Sequence, residues 1–100
     1  MARRVRPTIT VERRRWLRQL RDEGPAKRKD RSRSGYDCMT LGWTEWSVLD
    51  LSNQERLTWG EAQARYPDGL HLSSVKVDYL EIITAEGLAA LKDDEDGQRA

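Results

Sequence analysis

Apolar positions along this chain fall in short bursts between charged stretches, and their spacing predicts helices and strands in alternation. Within residues 8–23 (TITVERRRWLRQLRDE), Trp16, Leu17 and Leu20 share one helical face, with Ile9 ahead of them. Thr10 is placed to cap this helix, Glu12 lies in the first turn where the helix dipole favours an acid, and Gly24-Pro25 ends it. Residues 26–34 (AKRKDRSRS) offer nothing to bury beyond Ala26 and read as a loop or one loose turn. A short second helix fits residues 35–41 (GYDCMTL), capped by Ser34 and stopped by Gly42, with Tyr36 and Met39 directed to the core.

Residues 43–51 (WTEWSVLDL) are dense in β-formers and read as a strand, with Thr44, Trp46, Val48 and Asp50 on one face and Trp43, Glu45, Ser47, Leu49 and Leu51 on the other. A polar turn follows at residues 52–55 (SNQE). The sequence Thr58-Trp59-Gly60-Glu61 is a capping box that opens a brief helix reaching Tyr66, and Pro67-Asp68-Gly69 closes it. Residues 75–83 (VKVDYLEII) form the second strong strand. Thr84 then caps a helix over residues 85–92, with Leu88 and Leu91 packing inward. The expectation is a small α+β domain over residues 8–92, preceded by a flexible basic arm at 1–7 and followed by a disordered acidic tail at 93–100.

Bulk composition adds little until charge is followed along the chain. The 37% hydrophobic and 35% charged content suits one small folded centre with solvated ends. The net charge of +1 conceals two opposed halves: residues 1–33 hold thirteen Lys/Arg against four Asp/Glu, and residues 34–100 hold five against thirteen. A basic front on an acidic body makes nucleic acid the first partner to consider. No stretch approaches a membrane span and the first residues are too short and polar for a signal peptide, so the expected location is the cytoplasm. One cysteine, Cys38, and one histidine, His71, give neither a disulfide nor a metal set, and no cofactor is expected.

Three pieces of sequence carry a resemblance: LRQLRDEGP at residues 17–25, GYxxxxLGW from Gly35 to Trp43, and ITAEGLAAL at residues 83–91. Together they resemble the skeleton of winged-helix regulators, including small proteins of this type encoded by bacteriophages and prophages. The resemblance implies a winged-helix-like domain: helices plus a two- or three-stranded antiparallel wing sheet, here carrying a short helical insertion at residues 58–66. It also implies DNA binding, with residues 26–34 standing where the helix before the recognition helix is normally found. A DNA-binding accessory or regulatory role is the function it suggests.

The residues themselves favour contact through phosphates. Lys27, Arg28, Lys29, Arg31 and Arg33 form a flexible basic run whose guanidinium forks and point charges suit phosphate oxygens, with duplex DNA the expected ligand; the ordinary alternative is a solvated loop. Arg14 and Arg18 on the first helix extend the patch or solvate it. Tyr36 is placed to touch DNA if the second helix enters a groove, and is otherwise core. Arg3, Arg4 and Arg6 of the arm suit a minor groove or form an untethered tail. Trp59, opening an insertion that a minimal domain does not need, is the candidate anchor for a protein partner, such as a host or phage protein that the chain inhibits. Cys38 lacks an activating base and reads as a small buried hydrophobe. Carboxylates Glu45, Glu61 and Glu81 are scattered, so no acid/base pair emerges and no enzymatic activity is expected.

Overall fold

A computed structural model describes residues 8–99. The first helix, α1 (Val11–Glu23), starts where expected, because the Thr10 hydroxyl accepts from the Arg13 N–H at 3.2 Å. It ends at Gly24, whose φ of 89° only glycine adopts without strain. Trp16, Leu17 and Leu20 are its buried face.

The segment expected as a loop has structure. Ala26–Lys27 form a two-residue strand, β1, and Arg28–Asp30 form a single 3-10 turn. Helix α2 (Arg33–Thr40) then begins two residues earlier than expected, capped by Ser32 rather than Ser34. That phase turns Gly35 and Cys38 inward. Tyr36, expected in the core, is 69% exposed.

Strands β2 (Thr44–Asp50) and β4 (Val77–Ile83) are the two legible ones, and they pair antiparallel from Thr44↔Ile83 to Asp50↔Val77. Between them in sequence lie β3 (Glu55–Thr58) and α3 (Trp59–Arg65). The capping box at Thr58 and Glu61 is fully made and launches α3 directly from the end of β3. The antiparallel sheet runs in the order β1-β4-β2-β3, so it has four strands where two or three were expected. An α+β domain results, and its connectivity is compatible with a small winged-helix-like domain elaborated by β3 and α3.

Helix α4 (Ala85–Arg99) is the largest departure. It does not stop near Lys92 but continues through the acidic stretch that reads as a tail. Thr84 caps it, accepting from the Gly87 N–H at 3.0 Å and donating to the Gly42 carbonyl at 2.7 Å. Gly87 is needed here, since a Cβ would lie 2.1 Å from the Trp43 carbonyl oxygen. Leu91 is fully buried, whereas Leu88, expected inward, is 43% exposed.

The apolar interior has two parts. One gathers Trp16, Leu17, Leu20, Ala26, Cys38, Trp43 and Leu91 between the helices and one end of the sheet. The other joins Val48 and Leu57 to Ala62 of α3. Two buried carboxylates border these clusters. Glu81 is fully buried and held by Arg31 at 2.6 Å and the Trp16 indole N–H at 2.9 Å. Gly35 lets α2 come this close, because a Cβ there would stand 2.6 Å from the Glu81 carboxylate. Asp50, also fully buried, accepts from the Tyr66 hydroxyl at 2.7 Å, the Asn53 amide at 3.0 Å and Arg65 at 3.1 Å. Those hydrogen bonds, Tyr66 first, hold its carboxyl well below the usual range and tie both ends of the β3–α3 insertion to β2.

Candidate nucleic-acid interface

Folding divides the sequence-predicted cations into two sets. Arg14 of α1 forks onto Asp94 of α4 at 2.5 and 3.1 Å, Arg18 reaches Glu95 at 3.2 Å, and Arg21 bonds the same Glu95 at 2.7 Å. Arg13 lies 3.6 Å from Asp37. The Asp94 carboxyl is lowered by its bond to Arg14, and that of Glu95 by Arg21 and then Arg18. Much of the charge sorting therefore has an internal cause: the acidic end of the chain is the counter-surface of the first helix. Arg14 and Arg18, expected to extend a phosphate-binding patch, are engaged within the molecule.

Arg31 is likewise turned inward. Its guanidinium bonds Glu81 and the Gly35 carbonyl, the latter at 2.9 Å, and lies 4.9 Å from the Trp46 ring and 5.4 Å from the Tyr36 ring. A cation held on both a carboxylate and two aromatic faces organises the surface instead of meeting a ligand. Arg3, Arg4 and Arg6, expected to suit a minor groove or form an untethered tail, lie outside the described residues.

Lys27, Arg28, Lys29 and Arg33 remain. All four are exposed, and among the described residues none is in an ion pair. The first three share an open groove of about 480 Å³ with Val77, Asp78 and Tyr79. Its position follows from the sheet: β1 pairs with β4 only at Ala26↔Glu81 and Lys27↔Leu80, so residues 77–79 have no strand beyond them among the described residues. The 3-10 turn keeps the cations beside that open edge, and Arg28 lies 5.9 Å from the Tyr79 ring centroid. Asp78 at the rim opposes an anion, while three cations face it across the groove.

Aromatic residues stand beside this basic groove, though none lies within the basic run of sequence. Tyr79 contacts Trp46 edge-on at 6.3 Å and Trp59 at 6.1 Å between centroids. Trp59 is 40% exposed and Tyr36 more so. The resulting strip runs Tyr36, Arg31, Trp46, Tyr79, Trp59, with Arg28 over Tyr79. Sequence reading identified Tyr36 and Trp59 but missed Trp46 and Tyr79. Only the alternation of β2 and β4 places those two on the same face, since Tyr79 is paired with Val48, two residues from Trp46.

Other chemistry is sparse. The Cys38 thiol is buried, which pushes its pKa up to about 11 and leaves it protonated and inert near neutrality. Among the described residues no cluster of His, Cys, Asp and Glu is arranged to hold a metal ion, and no helix is long and apolar enough to cross a membrane. Set against family models, curated proteins and solved structures, the chain matches none of them.

Proposed function

We propose that this chain is a small nucleic-acid-docking protein that grips the phosphate backbone with Lys27, Arg28 and Lys29, with Arg33 as a further exposed cation, in an accessory or regulatory role on DNA. The observation that carries the reading is the groove beside β4, where three exposed cations without carboxylate partners among the described residues line the wall with Tyr79, and Arg28 lies over its ring. Phosphate oxygens are the ligands such cations attract most strongly, and binding of this type weakens steeply with salt because condensed counterions are released. The topology, with a helix ahead of β1 and α2 leading into β2, supports a winged-helix-like scaffold for it. Helix α1 contributes structure through its clamp on α4 rather than contacts to DNA.

The test replaces Lys27, Arg28 and Lys29 together by alanine and measures binding to an oligonucleotide at low ionic strength. All three side chains are exposed, so the fold survives and affinity is lost.

A second reading rests on Trp59. Its exposed ring at the mouth of an aromatic groove is the kind of anchor that protein interfaces use, and that groove also holds Met39 and Trp46. Under it, Trp59→Ala abolishes capture of a protein partner while oligonucleotide binding is absent from the start.

A further inference from the structure

We propose that the groove beside Trp59 is a slot for an unpaired nucleobase, so that the strand docked on Lys27, Arg28 and Lys29 is single-stranded. This rests on the nucleic-acid reading above and goes beyond it in naming the ligand.

The groove has a volume of about 470 Å³ and is walled by Met39 of α2, Trp46 and Thr44 of β2, and Thr58, Trp59 and Gly60 where β3 turns into α3. Two indoles on one groove offer broad π surfaces, on which bases of any sequence stack. A base inside a duplex has both faces covered and does not enter such a slot.

Thr44 supplies the second, independent observation. It is 2% exposed, and its hydroxyl is buried with no hydrogen-bond partner among the described residues. Folded chains rarely leave a buried hydroxyl unsatisfied, and Thr44 lines this groove, so a bound group that shifts the wall slightly can supply the missing partner.

Charge complementarity connects the slot to the phosphate groove. Tyr79 lines the basic groove, and its ring is about 6 Å from both Trp46 and Trp59, which line the slot. One strand laid across Tyr79 therefore places its phosphates on the lysines and a base in the groove against the exposed Trp59 ring. Arg28, over the Tyr79 ring, adds positive charge to the intervening surface.

Gly60 provides a clean perturbation. Gly60 lines the groove and a Cβ there meets nothing within 4 Å, so Gly60→Leu adds bulk at the groove wall without disturbing the interior. Three fluorescent probes are titrated at low salt: a short oligodeoxycytidylate, an abasic phosphodiester strand of the same length and charge, and a duplex of the same length. The wild-type protein should bind the base-bearing strand about tenfold or more tighter than the abasic one, the scale of one stacked base. Gly60→Leu should reduce the first to the level of the second, and Thr44→Val should weaken it severalfold. The lysine–arginine triple variant should weaken every probe. Equal affinity for abasic and base-bearing strands, both still dependent on the lysines, overturns the slot and leaves backbone docking in place. No binding of any probe overturns both. Saturable binding of a tryptophan-bearing peptide in the absence of oligonucleotide binding assigns the groove to a protein and also overturns the proposal.

Discussion

Replacing Thr44 by valine is expected to make the free protein more stable. The two side chains have nearly the same shape, both favour strands, and Thr44 sits in β2 opposite Ile83, so packing is preserved. What changes is the hydroxyl, buried and without a partner among the described residues. A buried polar group left unsatisfied costs roughly 1–3 kcal/mol, and that cost is removed with the oxygen. At the lower end, a gain of about 1 kcal/mol raises the Tm of a domain this size by about 4–8 °C. The assay is thermal and urea unfolding of both proteins followed by circular dichroism, with the m-value checked to confirm that only stability has moved. An unchanged or lower Tm would mean that the hydroxyl already has a partner in solution and that no such cost exists. Combined with weaker oligonucleotide binding, a raised Tm is the trade between stability and function expected of a binding residue.

Three further outcomes follow from the geometry. Gly87→Ala forces a Cβ onto the Trp43 carbonyl oxygen and should cost several kcal/mol, ~3 or more, whereas Gly97→Ala on the open surface of the same helix should stabilise by up to ~1 kcal/mol; urea unfolding separates them. Arg31→Met leaves the buried Glu81 carboxylate without its cation and should cost about 3–5 kcal/mol, while Arg31→Met combined with Glu81→Leu should recover much of it, as a double-mutant cycle will register. Because Asp94 and Glu95 have carboxyl pKa values below the ordinary range when folded, the stability they confer is present above that range and lost as pH falls through the lowered values. The difference in urea midpoint between wild type and Asp94→Asn/Glu95→Gln should therefore close on acidification, and narrow in high salt at neutral pH.

Local signals were legible where they suffice to define an element. Thr10 and Gly24 bound α1, the Thr58–Glu61 capping box opens α3, and dense β-formers mark β2 and β4. Elements that depend on a distant partner were not. Strand β1 has two residues and exists because Glu81 and Leu80 pair with it, and β3 is read only against β2. The acidic end of α4 looks like a solvated tail in isolation, yet it lies against arginines some eighty positions earlier, at Arg14 and Arg18. For the site, Lys27, Arg28 and Lys29 were visible as a charged run, but charge alone did not distinguish them from Arg14, Arg18 and Arg31, which meet carboxylates. Nor did sequence bring Trp46 and Tyr79 to that run, since a three-dimensional register does so.

Docking through phosphates is read from the salt dependence of oligonucleotide binding. Lys27, Arg28, Lys29 and Arg33, exposed and without an ion pair among the described residues, predict a slope of log affinity against log salt of about −3 on a single strand, at roughly −0.7 per neutralised phosphate. Alanine at the first three should bring it to about −1. A slope that the triple substitution leaves unchanged, or no affinity at low salt in the wild-type protein, would contradict the account.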